Sequence, residues 1–213
     1  MRHSKLMFVF GIVMALLGLA GCAKIRYPSY YVLNLPAPSP DAAGSKPILG
    51  SVAVREFSAP EFLRRGPIAY RQSPEQLDFY HYDQWAEDPR SAVTAAMVRE
   101  MRVRGLFQSV GVFDAGETPE CLLTGKLDHL EEVDQGSSVS IEVGLSARLI
   151  NLRTGEVLWQ GASSKTAKLD QRSVPGIVAA MSRELGDTVQ ALVSSMQDHV
   201  SAAPLSSKAN TEQ

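Results

Sequence analysis

The sequence predicts an α+β fold: a single domain with a mostly antiparallel or mixed sheet of six to seven strands packed against two helices. Three observations lead there. Residues 138–150 alternate strictly, with Val139, Ile141, Val143, Leu145, Ala147 and Leu149 on one side and Ser140, Glu142, Gly144, Ser146 and Arg148 on the other; period two over a dozen residues is the signature of a strand with one buried face. Two segments, 88–105 and 173–199, instead carry apolar residues every three to four positions, as amphipathic helices do. Short apolar runs bounded by Pro, Gly and Ser precede the first helix and fill the space between the two.

The chain opens with a basic N-terminus (Arg2, Lys5), an apolar run from Leu6 to Leu19, and small residues before a cysteine: Leu19-Ala20-Gly21-Cys22. A basic start, a short apolar stretch and small residues at the cut are the parts of a secretory signal. The order ending in cysteine resembles the lipobox of bacterial lipoproteins. That resemblance implies removal of residues 1–21 between Gly21 and Cys22, a diacylglyceryl group on the Cys22 sulfur and an N-acyl group such as palmitate. As a helix, Leu6–Gly21 would span about 24 Å, short of the ~30 Å hydrocarbon core, which argues against a transmembrane anchor.

Residues 22–29 then form a lipidated N-terminus and short tether, and 30–200 the domain. Seven residues separate Cys22 from the strand-like run Tyr30-Tyr31-Val32-Leu33, a reach of roughly 25 Å at full extension. The domain is therefore expected close to the membrane that holds the lipid. Pro36 to Pro47 is a proline-rich connection unsuited to a ladder. A second strand is expected over Leu49–Phe57, and Ile68–Arg71 with Gln76–Tyr82 reads as a hairpin around Ser73-Pro74. The hairpin runs into Phe79-Tyr80-His81-Tyr82-Asp83-Gln84-Trp85. Two readings stand for these rings: core that anchors the sheet, or a surface on which Tyr80, Tyr82 and Trp85 contact a partner or lipid.

Asp88-Pro89 starts the first helix as N-cap and N1; Val93, Met97 and Met101 give its buried stripe, and Gly105 ends it. Arg99, Arg102 and Arg104 fall elsewhere on it, as a solvated face or a docking surface. After Leu106-Phe107 a loop is read through Gly116 and Pro119. Cys121–Val133, Ser138–Ile150 and Glu156–Thr166 make an antiparallel meander, and Ser173–His199 the last helix, with Ile177, Met181, Leu185, Val189, Leu192 and Met196 inward. Residues 201–213 are small and polar and read as a disordered tail.

Composition narrows function. Of 21 Lys and Arg, the signal removes Arg2 and Lys5, leaving 19 against 23 Asp and Glu. That balance of −4 excludes a basic nucleic-acid footprint. Cys22 and Cys121 are the only cysteines, so a lipidated Cys22 leaves Cys121 without a disulfide partner, and its apolar neighbours predict a buried thiol. His81, His129 and His199 are scattered, with no zinc-ligand spacing. Asp128, Glu131, Glu132 and Asp134 are expected as a solvated hairpin end rather than a divalent site or acid-base pair. There is no phosphate-binding glycine motif or nucleophile elbow, and so no catalytic constellation, cofactor or metal site.

Four pieces in this order, Tyr30-Tyr31-Val32-Leu33, Ile68-Ala69-Tyr70-Arg71, Tyr80-His81-Tyr82-Asp83-Gln84-Trp85-Ala86 and Thr154-Gly155-Glu156-Val157-Leu158-Trp159, joined to the lipobox, resemble the ABC-type transport auxiliary lipoprotein family. The resemblance implies a periplasm-facing scaffold, not an enzyme, that works with an MCE-domain protein and its ABC permease and ATPase to move lipids or hydrophobic molecules between inner and outer membranes. It also implies that several copies can assemble as a ring. Ala23, where an aspartate would favour inner-membrane retention, points to the outer membrane. The alternative is an outer-membrane assembly or pilotin-like lipoprotein unconnected to lipid transport.

Overall fold

The longest strand of the sheet organises everything else, because its two edges are used differently. The computed structural model describes residues 26–38, 47, 49–64, 66–116, 118–136 and 138–202. Its elements are β1 (Ser29–Tyr31), β2 (Leu49–Val54), β3 (Pro67–Ser73), β4 (Gln76–Trp85), α1 (Pro89–Arg104), β5 (Phe107–Val112), β6 (Cys121–Asp134), β7 (Val139–Asn151), β8 (Val157–Leu169) and α2 (Val174–Ala202). One edge of β6 pairs antiparallel with β7 along its whole length, and β8 continues the meander. The other edge is shared: Cys121–Leu123 pair with β2, and Glu132–Val133 with β3, both parallel. Two branches leave that edge, β2–β5 at the start of β6 and β3–β4–β1 at its end.

Among the described residues the result is a mixed eight-stranded sheet with two α-helices, an α+β fold as expected with one strand more than the six to seven predicted. The added strand is β5, parallel to β2, in a stretch expected to be loop. Gln108, Ser109 and Gly111 dilute its pattern, and Phe107 is its buried residue. β2 ends at Val54, yet Phe57 beyond it is fully buried against Gly125, where any side chain would strike the ring.

Both helices behave as their patterns require. Asp88 caps α1 by accepting from the Arg90 N–H at 3.0 Å, Pro89 occupies the first turn, and Gly105 closes it with φ 64°, a left-handed conformation that costs glycine nothing. Val93, Met97 and Met101 pack beneath it. α2 lies over β7 and β8 with Ile177, Met181, Leu185, Val189, Leu192 and Met196 buried, and runs to Ala202. The α1 arginines are tied down rather than free: Arg102 donates to the Val110 carbonyl at 2.9 Å, Arg104 to Glu100 at 3.0 Å and Arg99 to the Pro36 carbonyl at 3.3 Å. No described helix is long and apolar enough to cross a membrane. The signal, Gly21, Cys22 and residues 203–213 lie outside the described residues.

Candidate functional site

The aromatic hairpin meets the end of β6 through charges that have left water. Tyr70 on β3 sits opposite Glu132 on β6 in the parallel register, and β4 lies outside β3. Glu131 and Glu132, expected at a solvated hairpin end, have no accessible surface. The expectation fails because it treated β6 as ending in solvent, whereas the β3–β4 branch packs against that end on one edge and β7 on the other.

Successive strand residues point to opposite faces, so the two acids are satisfied separately. Glu131 receives a forked hydrogen bond from Arg71, Nε to Oε1 at 2.9 Å and Nη2 to Oε2 at 3.0 Å. The remaining Arg71 nitrogen, Nη1, donates to the Pro74 carbonyl at 2.9 Å and so clamps the hairpin turn. The Glu131 carboxylate raises the Arg71 pKa above the ordinary arginine value. On the same face His129 Nδ1 lies 3.5 Å from Glu131 and 4.0 Å from Glu142, and Gly144 opposite His129 leaves room for its ring. With Arg71 holding both oxygens of Glu131, this is an ion-paired strut.

Glu132 accepts from the Tyr80 hydroxyl, and Arg172 Nη2 stands 2.9 Å from its other oxygen. Arg172, just before α2, also donates to Asp134 at 2.7 Å and stacks 5.7 Å from the Tyr70 ring centroid. Tyr70 and Tyr80 are in tilted contact, centroids 5.1 Å apart, and Tyr70 donates to Asp78 at 3.1 Å. Burial, reinforced by the Glu132 carboxylate, pushes the Tyr80 phenol up to about 12. The Phe79 N–H and Tyr70 hydroxyl hold Asp78 below the usual carboxylate range. Arg172 is raised by its hydrogen bond to the Tyr80 oxygen and by Glu132 and Asp134.

The structure separates the three predicted contact residues. Trp85 is 6 % exposed and packs in the core; Tyr80 is half-buried on Glu132; Tyr82 remains at the surface with 42 % exposure. The separation comes from the ladder: Ala69 pairs with Phe79 and Pro67 with Gln84, so β4 carries extra residues between these pairs and pushes His81 and Tyr82 outward. Beside Tyr82, the β1 edge adds Tyr30, and the Arg26 guanidinium stacks 4.7 Å over the Tyr82 ring. The pattern that marked Tyr80, Tyr82 and Trp85 did not reveal Arg71, Glu131, Glu132 and Arg172, which come from three separate stretches; the signal available was two adjacent acids inside a strand.

Cys121 is buried and free, as expected; burial and the nearby Glu120 push its thiol up to about 11.

The sequence matches the family described as "ABC-type transport auxiliary lipoprotein component" over residues 31–193. The chain belongs to that family. It is a family of auxiliary transport lipoproteins and not an enzyme class. The match takes in every element from the end of β1 through most of α2, including both acids and both arginines of the hairpin junction. A crystal structure of a DUF330 family protein from Xanthomonas campestris superposes with a TM-score of 0.68 at 18 % identity, covering 80 % of this chain and 96 % of that one. A second crystal structure, of an uncharacterized protein, gives 0.62 at 13 % identity, with 80 % and 99 % covered. At these identities the likeness is one of fold. No curated protein matches the sequence.

Proposed function

We infer that this family member is an outer-membrane-anchored periplasmic lipoprotein, an auxiliary and scaffold component of an MCE-type ABC transport system that moves lipids or other hydrophobic molecules between the two membranes. The observation that carries the reading is the family match over residues 31–193 placed directly behind Leu19-Ala20-Gly21-Cys22. In this reading Cys22 supplies the anchor after cleavage at Gly21–Cys22, residues 22–29 the tether, and the sheet with α1 and α2 the rigid body. Partner proteins supply the conduit. Ala23 supports the outer membrane. Two or more acyl chains, each buried methylene contributing ~0.8 kcal/mol, suffice for stable residence.

The hairpin junction supports a scaffold role because its acids are consumed by Arg71, Tyr80 and Arg172, which bind the β3–β4 branch to the meander. Two measurements test the function. A Cys22→Ala protein is expected to lose outer-membrane fractionation; continued cofractionation would overturn the anchor. Crosslinking in native membranes followed by capture of this chain is expected to recover an MCE-domain protein. Recovery of a secretin or barrel assembly factor in its place would favour the pilotin-like alternative.

A further inference from the structure

The geometry points to a membrane-resting face: the exposed aromatic edge formed by Arg26, Tyr27, Tyr30, Val32 and Tyr82 lies in the headgroup layer of the bilayer that holds the lipid anchor. This rests on the lipoprotein reading above.

Large exposed apolar side chains are unevenly placed. Of the seven among the described residues, four are Tyr27 (76 % exposed), Tyr30 (62 %), Val32 (54 %) and Tyr82 (42 %). The β1–β4 register brings them to one edge of the sheet: Ser29 pairs with Asp83, Tyr30 with Gln84 and Tyr31 with Trp85. Arg26 reaches across to the Tyr82 ring. β1 has β4 as its partner on one side and is the last strand of its branch. A cluster of tyrosines around an arginine at such an edge has the chemistry of the bilayer interface, where a ring sits among glycerol and acyl carbons, its hydroxyl stays hydrated, and a guanidinium meets phosphate.

Covalent distance selects this occupant over a soluble protein. Only Ala23, Lys24 and Ile25 separate Cys22 from Arg26, so the two α-carbons are at most about 14 Å apart, and Cys22 and Tyr30 about 28 Å. The headgroup layer is itself roughly 5–7 Å deep on each side of the hydrocarbon. Acyl chains buried at Cys22 therefore bring this edge to the membrane surface before any other part of the fold. The other exposed apolar residues are held elsewhere. Leu152 donates its N–H to the Glu120 carbonyl beside the start of β6, whereas the β3–β4–β1 branch joins β6 at Glu132 and Val133. Cys121 and Glu132 are eleven residue steps apart along the strand, about 36 Å.

The test uses the full lipidated chain reconstituted in phosphatidylethanolamine vesicles containing some phosphatidylglycerol, with and without brominated acyl chains, which quench tryptophan on contact. Tyr30→Trp places a reporter on the edge and Leu152→Trp one at the far end, both at exposed positions that tolerate the change; the buried Trp85 and Trp159 give the background measured in the unsubstituted protein. Expected is a blue shift and a bromine-dependent loss of emission for Tyr30→Trp beyond that background, and neither for Leu152→Trp. Protein that carries the acyl mass and floats with vesicles yet shows no added quenching in Tyr30→Trp would overturn the membrane face while leaving the anchor intact. Equal quenching of both reporters would overturn it too, since no one face would then be presented. Protein without the acyl mass that fails to float would overturn the lipoprotein reading itself.

Discussion

Replacing Arg71 with Met removes the partner of a carboxylate that has no route to water. Glu131 is fully buried, and Arg71, with 24 % of its side chain exposed, supplies two hydrogen bonds of 2.9 and 3.0 Å to it. Breaking a buried pair from one side costs ~3–5 kcal/mol, because the remaining charge keeps its desolvation penalty and loses its compensation. Against a total stability of ~5–15 kcal/mol for a domain, that is a large share. With a urea slope of ~2 kcal/mol per molar, the midpoint of unfolding in the non-lipidated protein drops by roughly 2 M at unchanged slope. Arg71→Lys keeps the charge and loses the fork, so it falls between wild type and Arg71→Met. Arg71→Met combined with Glu131→Met recovers most of the loss, since an apolar pair of similar volume often replaces an ion pair at little cost. A loss below ~1 kcal/mol for Arg71→Met, the range of exposed pairs, would refute the argument that Glu131 is a buried charge held by Arg71.

Further consequences are open to the same equilibrium measurement. Trp85→Ala removes a core ring and costs ~3–5 kcal/mol, whereas Tyr82→Ser changes stability by less than ~0.5 kcal/mol; similar losses from both would contradict the division of the aromatic run. Tyr80→Phe deletes the hydroxyl bound to buried Glu132 and costs ~1.5–3 kcal/mol. Burial opposes the ionised form of Asp88, but the Arg90 guanidinium and N–H prevail and hold its carboxyl below the usual range. A depressed folded value means that its contribution is complete above the unfolded value of ~3.9 and is lost as pH falls through the folded one. Asp88→Asn is therefore less stable than wild type at neutral pH, and the gap closes in strong acid; a gap independent of pH would show that the cap works without its charge. Cys121, with its thiol near 11, is only on the order of a thousandth thiolate at pH 8. Native protein should resist alkylation that goes rapidly in urea, and fast native labelling would place Cys121 outside the core.

Local rules read from the chain located most of the elements. Asp88, Pro89 and Gly105 bound α1 because capping, a fixed proline φ and a left-handed glycine act within one turn. β7, the middle strand of the meander, was legible because one of its faces lies under α2, and alternation records that directly. What alternation could not show is which strands meet across long separations. The parallel pairings of β1 with β4 and β2 with β5 have no turn to announce them, and β5, polar and short, acquires its strand character from β2.

The same limit governs the candidate sites. Leu19-Ala20-Gly21-Cys22 is a contiguous stretch, so the lipidation proposed for Cys22 is argued from sequence alone. The fates of Glu131 and Glu132 were decided by tertiary structure: each is a polar residue whose local pattern says solvent, and each is buried because Arg71, Tyr80 and Arg172 arrive from elsewhere to replace the water. The aromatic run divides for a related reason. Its composition announces large amphipathic rings, but the register between Phe79 and Gln84 decides that Trp85 turns inward, Tyr80 meets Glu132 and Tyr82 joins the edge beside Tyr30. Sequence by itself determined which side chains were available to be buried or exposed; packing, through register and the demand that every desolvated charge be met, determined which ones were.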